Sequence, residues 1–332
     1  MVKKSYTMIE LIFVIIVLSL IATGSFKAIG ALYNRYYEIK TVTHFSMTTQ
    51  GILNQITTLL YYRVPITAIG YNPDNGDFKP LKDANSSYKI AEWIGEAFDA
   101  KLHIGNNIGR GYSGFIDLDA SDRDTLTLVA EDFNVTDIND TENKIFNTNR
   151  DLNETVAIIF AGSFDLGDES ANNDYNNSFG WHGHDHNKTY TIHSFKQVNS
   201  DANLTMNDEI KNNRIYAKYY LANSAWGIAR GENIDQNATC ITDFGMEVNS
   251  NELNNTLFLF YDYRPWKKDT FCADPNHDND TRNGKVAILA KNVTAFRVKA
   301  VNNHIELKIQ QTKYLYRGSD RNISIAKQKV AF

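Results

Sequence analysis

Cysteine and proline are both scarce in this chain. Two cysteines, Cys240 and Cys272, in 332 residues resemble one disulfide more than a metal site, which usually needs four ligands. Five prolines, the first at Pro65, leave the preceding 64 residues without the strongest helix breaker. Basic charge is not in excess either. Against 39 Asp and Glu stand 34 Lys and Arg, for a net charge of −5 and a pI near 5.9. No overall field draws nucleic acid or acidic lipid, and no nucleic-acid partner is expected. The nucleophile elbow G-x-S-x-G and the phosphate loop G-x-x-x-x-G-K-[ST] are missing, as is any internal repeat. What remains, 42% hydrophobic and 12% aromatic, is a composition able to bury a sizeable core in one large domain or two smaller ones.

One apolar run stands out. Leu11 to Phe26 carries no charge, which is short for a spanning helix and long enough for the core of a signal peptide. Only Lys3 and Lys4 precede it, so the positive-inside rule leaves the rest of the chain outside the cytoplasm. On that side, Cys240 and Cys272 read as one disulfide, with two buried thiols as the other reading. A carboxylate, Glu10, heads the run, where an ionised acid in hydrocarbon is unfavourable and calls for a partner.

Two readings compete. Secretory cleavage after Ala22-Thr23-Gly24 would start the mature chain at Ser25 and leave Glu10 without a role. Alternatively the helix continues, because Ile39, Val42, Phe45, Ile52, Ile56 and Leu59 form a helical stripe with Thr49 as its polar member. A helix from about Tyr6 to Tyr62 would be roughly 85 Å long at 1.5 Å per residue. Gly24, Gly30 and Gly51 would be points of bending or close packing. Such a length suits a filament subunit.

The stretch "KKSYTMIELIFVIIVLSLIA" resembles the class III leader and amino-terminal helix of type IV pilins and type II secretion pseudopilins. The shared pattern is a short basic leader, a cut, an aromatic residue and Glu at the fifth mature position. It places the cut between Ser5 and Tyr6, where most members have Gly and Phe. The resemblance implies a prepilin peptidase that removes residues 1–5 and methylates the new amine. It also implies that Glu10 pairs with that amine on a neighbouring subunit. Desolvation of such a pair is recovered only with good geometry, so it acts mainly as a register device.

Past Pro65 the pattern changes to apolar segments punctuated by Asn, Asp and Gly. "FIDLDASDRDTLTLVAED", "TVAIIFAGSFD", "RIYAKYYLANSAWGI" and "TLFLFYDYRPW" each read as strands. Near the end, Phe296, Val298 and Ala300 alternate with Arg297 and Lys299, and Ile305, Leu307 and Ile309 alternate with Glu306 and Lys308. Asn302-Asn303 supplies a two-residue turn, giving a hairpin with one face packed on a helix. "ILAKNVTAFRVKAVNNHIELKI" is loosely similar to the end of the large minor pseudopilins and minor pilins.

Metal chemistry has weaker signals. "WHGHDHN" sets His182, His184 and His186 at alternate positions, where a strand would aim all three to one side to hold a transition metal. The surrounding Asx- and Gly-rich segment reads as an exposed loop. Asp274, Asn276, Asp278 and Asp280 resemble the start of a calcium loop but lack its sixth-position Gly and twelfth-position Glu, and Asp117, Asp119, Asp122 and Asp124 read as a solvated turn.

Asparagine carries a stronger signal. Twelve of the 37 asparagines fit N-x-S/T, and ten of these have an acid two places before: Asn85, Asn134, Asn139, Asn153, Asn176, Asn187, Asn203, Asn237, Asn254 and Asn322. Asn279 and Asn292 are the exceptions. Among the other 25 asparagines only Asn249 and Asn276 have such an acid, so acidic turn chemistry does not account for the bias. The pattern resembles the extended acceptor sequon of the bacterial oligosaccharyltransferase and implies N-linked glycans.

The expectation is therefore a non-enzymatic filament subunit of α+β, pilin-like class. Residues 1–5 form a leader and residues 6–64 a long helix whose first part is transmembrane. Residues 65–332 form a β-rich domain outside the membrane, with Asx-rich loop insertions between about residues 132 and 213. Its expected place is the bacterial inner membrane with the domain in the periplasm, then a filament. The expected partners are other pilin or pseudopilin subunits, the prepilin peptidase, the oligosaccharyltransferase and the inner membrane. No cofactor is required by this reading, although calcium or a transition metal fits the acidic and histidine loops. A secreted or tethered metal-binding adhesin or binding protein is the runner-up, and a tethered hydrolase with a carboxylate pair is a third. If the acid is the recognition element, Asp185→Ala abolishes modification of Asn187 while Asn139 stays occupied, as read by glycopeptide mass spectrometry on protein from its native host. Full occupancy of Asn187 in that variant refutes the role of the acid.

Overall fold

Helix α1, Met8–Tyr61, runs for 54 residues without a break, as the lack of proline before Pro65 allows. A computed structural model of the chain describes residues 7–104, 113–122, 124–130, 133–161, 178–184, 192–198, 203–206, 215–277, 281–301, 304–314 and 322–331. Only the second half of α1 is packed. Phe45, Thr49, Ile52, Leu53, Ile56 and Leu60 are buried, whereas Ile39 and Val42, expected in the same stripe, are exposed. The packed seam starts at Phe45.

The strands that follow are β1 (Ile69–Tyr71), β2 (Phe78–Pro80), β3 (Ile90–Glu96), β4 (Gly114–Asp122), β5 (Thr127–Ala130), β6 (Ala157–Phe160), β7 (Ile192–Val198) and β8 (Asn203–Met206). After them come β9 (Lys218–Arg230), β10 (Leu257–Tyr263), β11 (Thr270–Phe271), β12 (Arg282–Asn283), β13 (Lys285–Ala290), β14 (Val293–Val301), β15 (His304–Tyr314) and β16 (Asn322–Ala331). A second helix, α2, spans Val135–Phe146.

Strand β9 is the pivot. Along its length it pairs antiparallel with β3, β10, β4 and β6. Its alternate small and large residues, from "YYLANSAWGIA", allow two sheet surfaces to close on it. From β9 the pairings run through β4, β5, β8, β7 and β6 and return to β9, a closed circuit of six strands. Leu128, Ile158, Phe160, Phe195, Leu204, Met206 and Leu221 form part of the core of that circuit, and Ile138 of α2 joins them.

The three-stranded antiparallel sheet β14-β15-β16 packs on α1, with β15 in the middle. Ile305, Leu307 and Ile309 join Ile52, Leu53, Ile56 and Leu60 in one cluster that also takes Trp93, Ile228, Leu257 and Leu259 from the large sheet. Thr49, the polar member of the stripe, donates to Gln311 Oε1 at 2.7 Å, and Gln311 Nε2 donates to the Lys291 carbonyl at 2.9 Å. A polar residue in an apolar seam is tolerated because it is hydrogen-bonded. The hairpin has the expected alternation, with Ala300 opposite Ile305 and Val301 opposite His304. Asn302 and Asn303 lie outside the described residues.

Four expectations need correction. "FIDLDASDRDTLTLVAED" is a hairpin, β4 and β5, and not one strand. Asp117 Oδ1 accepts from the backbone N–H of Asp119 and Ala120, and Asp122 Oδ1 from Asp124 and Thr125, so these acids fold back onto their own backbone. The segment of expected Asx-rich insertions between about 132 and 213 contains α2, β7 and β8 besides the expected strand β6. Within that segment Ser178, Phe179 and Trp181 are buried, against the expectation of an exposed loop. Strand β16, not anticipated, completes the sheet on α1.

Burying Leu53, fully enclosed in this seam, removes an apolar side chain from water and leaves a cavity if it is truncated. Leu53→Ala should lower unfolding stability by about 2 to 5 kcal/mol in chemical denaturation of the detergent-solubilised protein. Leu18→Ala, in the exposed half of α1, should leave that midpoint unchanged.

Candidate functional sites: the leading helix and a buried histidine

Residues 8–40 of α1 are exposed throughout, about 50 Å of helix at 1.5 Å per residue. Its most apolar window has a mean hydropathy of 2.4, none of it buried in this chain, and the helix is long and apolar enough to cross a membrane. Around Gly24 and Gly30 no atom comes within 4 Å of where a Cβ would stand, so nothing inside this chain demands glycine there.

Glu10 has a local partner. Thr7 is the N-cap: its backbone N–H and hydroxyl donate to Glu10 Oε2 at 2.9 and 3.1 Å, and Glu10 N–H donates to Thr7 Oγ1 at 3.4 Å. This is a capping box, in which carboxylate and hydroxyl satisfy donors that the first helical turn leaves open. The signal was in plain view as "TMIE", the Thr-x-x-Glu spacing. Ser5 and Tyr6 lie outside the described residues.

The histidine segment does not form a strand. Trp181–Gly183 is one turn of 3-10 helix with His182 at φ 50°, between Gly180 at φ 76° and Gly183 at φ 80°. A Cβ on Gly180 would stand 2.4 Å from the Pro265 carbonyl oxygen, so only glycine lets the chain pass there. The turn buries the His182 ring and leaves His184 exposed, so the two do not converge, and His186 lies outside the described residues. His182 Nε2 donates to Glu92 Oε1 at 2.9 Å and Nδ1 to Asp274 Oδ2 at 3.0 Å. Facing a carboxylate on each side, the ring carries both protons.

Around this core the remaining carboxylate oxygens are also occupied. Tyr71 donates to Asp274 Oδ1 at 2.7 Å, the Asn276 N–H donates to the same oxygen at 2.9 Å, and Tyr263 donates to Glu92 Oε2 at 2.7 Å. The Tyr71 ring stacks on His182 at 3.8 Å, with Phe78 and Phe271 at its edges. Burial by itself would lower the His182 pKa, but the Glu92 charge and the hydrogen bonds to Asp274 and Glu92 outweigh it and raise it to about 9. Burial works against ionised Asp274 too, and the bonds from His182 and Tyr71 overcome it and lower its pKa. Neither ring nitrogen is left to meet a bound molecule. The geometry is that of an internal charge lock tying β1, β3, β10, the 181–183 turn and the 272–276 loop together. Asp274, expected at the head of a calcium loop, is spent on this lock; Asp278 and Asp280 lie outside the described residues.

Another buried acid, Glu142 on α2, accepts from Asn223 Nδ2 at 3.3 Å. Burial pushes its pKa up to about 7.

Cys240 and Cys272 are joined in a disulfide, with Cα atoms 6.5 Å apart and a sequence separation of 32. On the chain-entropy account such a loop contributes about 3.5 to 4 kcal/mol. The bridge also anchors the loop that carries Asp274, two residues on.

The sequons scatter over the surface. Asn85, Asn134, Asn237 and Asn322 are exposed; Asn139, Asn153, Asn203 and Asn254 are partly buried. Asn139, in a segment expected to be loop, lies inside α2, and Asn254 ends a helical turn, Asn251–Asn254, just before β10. Asn176, Asn187 and Asn279 lie outside the described residues.

Comparison of the chain with protein families, with curated proteins and with solved structures finds no match. The functional reading therefore rests on the residues and their geometry.

Because His182 is held at a pKa of about 9 against about 6.5 in the unfolded chain, its stabilising contribution is complete below pH 6.5 and is lost as pH rises through 9. Between pH 8 and 9.5, above the pH near 7 where Glu142 titrates, unfolding stability should fall by an amount on the order of 1 kcal/mol. His182→Gln should flatten that slope. At pH 6 it should cost about 3 to 5 kcal/mol, because two buried carboxylates lose their cation. Denaturant titrations at a series of pH values read both effects.

Proposed function

We propose that this chain is a subunit of a filament of the type IV pilin or type II secretion pseudopilin kind, most simply a minor subunit, and that it carries N-linked glycans. The observation that carries the reading is the division of α1. Its rear half is packed on antiparallel sheet, while its front half, residues 8–40, headed by the apolar run to Phe26, is exposed among the described residues. A bare apolar helix of that length needs two surroundings, hydrocarbon while the subunit waits in the membrane and neighbouring helices once it is assembled. Open space at Gly24 and Gly30 supports close approach of another helix. In this reading residues 1–5 are a leader removed by a prepilin peptidase and the domain beyond residue 64 lies in the periplasm. Ten sequons preceded by an acid make the domain a substrate of an oligosaccharyltransferase.

Glu10 then has two tasks at different times. In the lone subunit its carboxylate caps the helix through Thr7. In the filament the same carboxylate meets the methylated amine of a neighbour, a charged group that Thr7 cannot replace. The runner-up, a metal-binding adhesin, loses its best ligand because both His182 nitrogens are engaged.

Mass spectrometry of the amino-terminal peptide should find a mature chain beginning at methylated Tyr6; a start at Ser25 removes the pilin reading. Glu10→Gln keeps the hydrogen bonds of the capping box but not the charge. It should leave the subunit processed and membrane-bound. Truncating one side of a buried pair costs about 3 to 5 kcal/mol, so incorporation into filaments should fall at least about a hundredfold. Normal assembly of that variant shows that the charge is dispensable.

A further inference from the structure

An acid two places before the acceptor and a hydroxyl two places after it form a period-two pattern. In an extended chain the three side chains project to one side, whereas in a helix residues two apart point nearly opposite ways. An enzyme reading all three at once therefore needs its acceptor extended.

Three of the sequons are helical in the folded protein. Asn139 lies inside α2, and Thr141 Oγ1 donates to the Asp137 carbonyl at 2.7 Å, which sets acid and hydroxyl on the helix side opposite Asn139. Asn153 belongs to the turn Leu152–Thr155, where Thr155 is buried and its hydroxyl donates to the Leu152 carbonyl at 3.2 Å. Asn254 is the most engaged. Its Oδ1 accepts from Gln236 Nε2 at 2.7 Å, Glu252 is ion-paired with Lys291, and Thr256, fully buried, donates to the Glu252 carbonyl at 2.7 Å. Asn322 differs: it opens β16, which pairs only with β15 among the described strands, and Asn322 and Ser324 are both exposed on one side of it, the Ser324 hydroxyl accepting from Gln310 and Thr312 of β15 at 3.0 and 3.1 Å. Asp320 lies outside the described residues. Asn85 is exposed in the loop between β2 and β3, where its Oδ1 accepts from the N–H and hydroxyl of Ser87 at 2.9 and 2.6 Å, contacts confined to the sequon itself.

We infer that Asn139, Asn153 and Asn254 accept glycan only before the domain folds, whereas Asn85 and Asn322 remain acceptors afterwards. This rests on the glycoprotein reading above. The transfer forms a C–N bond between asparagine Nδ2 and the anomeric carbon of a lipid-diphosphate-linked oligosaccharide. It breaks the bond from that carbon to the diphosphate oxygen, releases the lipid diphosphate and gives the amide proton to a base. The folded product can hold the result. Asn254 Nδ2 makes only a 3.4 Å bond to the Asn249 carbonyl, so a glycan there leaves the bond from Gln236 intact. Modification at the three helical sites is thus a record of the chain before closure.

The test uses full-length unglycosylated protein in detergent, incubated with a bacterial oligosaccharyltransferase and its lipid-linked oligosaccharide. One sample is folded and one is reduced, alkylated and unfolded. Glycopeptide mass spectrometry should find Asn85 and Asn322 occupied in both. Asn153 and Asn254 should be occupied in the unfolded sample and at least about tenfold lower in the folded one, since reaction there must wait for rare local opening. Equal occupancy of Asn254 in the two samples overturns the inference. Absence of glycan from every site in the unfolded chain overturns the glycoprotein reading beneath it.

Discussion

The seam between the second half of α1 and the strands that cover it is the contact on which the rest of the molecule depends. Leu53, Ile56 and Leu60 are shared by two separate sheets, β14-β15-β16 on one side and β3-β9-β10 on the other. Each sheet offers one apolar face and neither could hide it against water alone. The helix is their common filler. The bond from Thr49 to Gln311, continued to the Lys291 carbonyl, fixes how far the helix slides along the small sheet, because a buried polar pair tolerates only one register. The exposed half of α1 is therefore held by the domain at a set angle.

The chain treats His182, which is buried, and Glu10, exposed at the head of α1, differently. His182 is neutralised from within by Glu92 and Asp274, which come from distant parts of the sequence and are themselves fully bonded. Glu10 is exposed and, among the described residues, is bonded to the uncharged Thr7. The lock ties distant segments together, whereas the cap acts within one helical turn.

Local patterns were legible in the sequence and remote ones were not. The long helix followed from periodicity and the lack of proline, and the β14-β15 hairpin from strict alternation around two asparagines. Strand β16 escaped because two of its inward positions are Lys327 and Lys329. Their Nζ atoms reach Gln50 and Asn54 on α1, so the stems cover apolar surface while the charges stay wet. Helix α2 escaped because Asn and Asp hide its period, and one of its buried positions is Glu142. The cap on Glu10 was local and readable, as Thr-x-x-Glu. The surroundings of His182 were not: Glu92 lies 90 residues before it and Asp274 lies 92 after, a meeting that no short window of sequence encodes.

The reach of β9 sets a tempo. It pairs with β3, whose residues precede it by more than a hundred positions, and the six-stranded circuit fills the interval between them. Contacts so far apart along the chain must await closure of a very long loop, and folds dominated by them form in milliseconds to seconds. A helical bundle of this size would form far faster. Until that loop closes, the edges of β3 and β9 stay unpaired and the residues between them remain accessible.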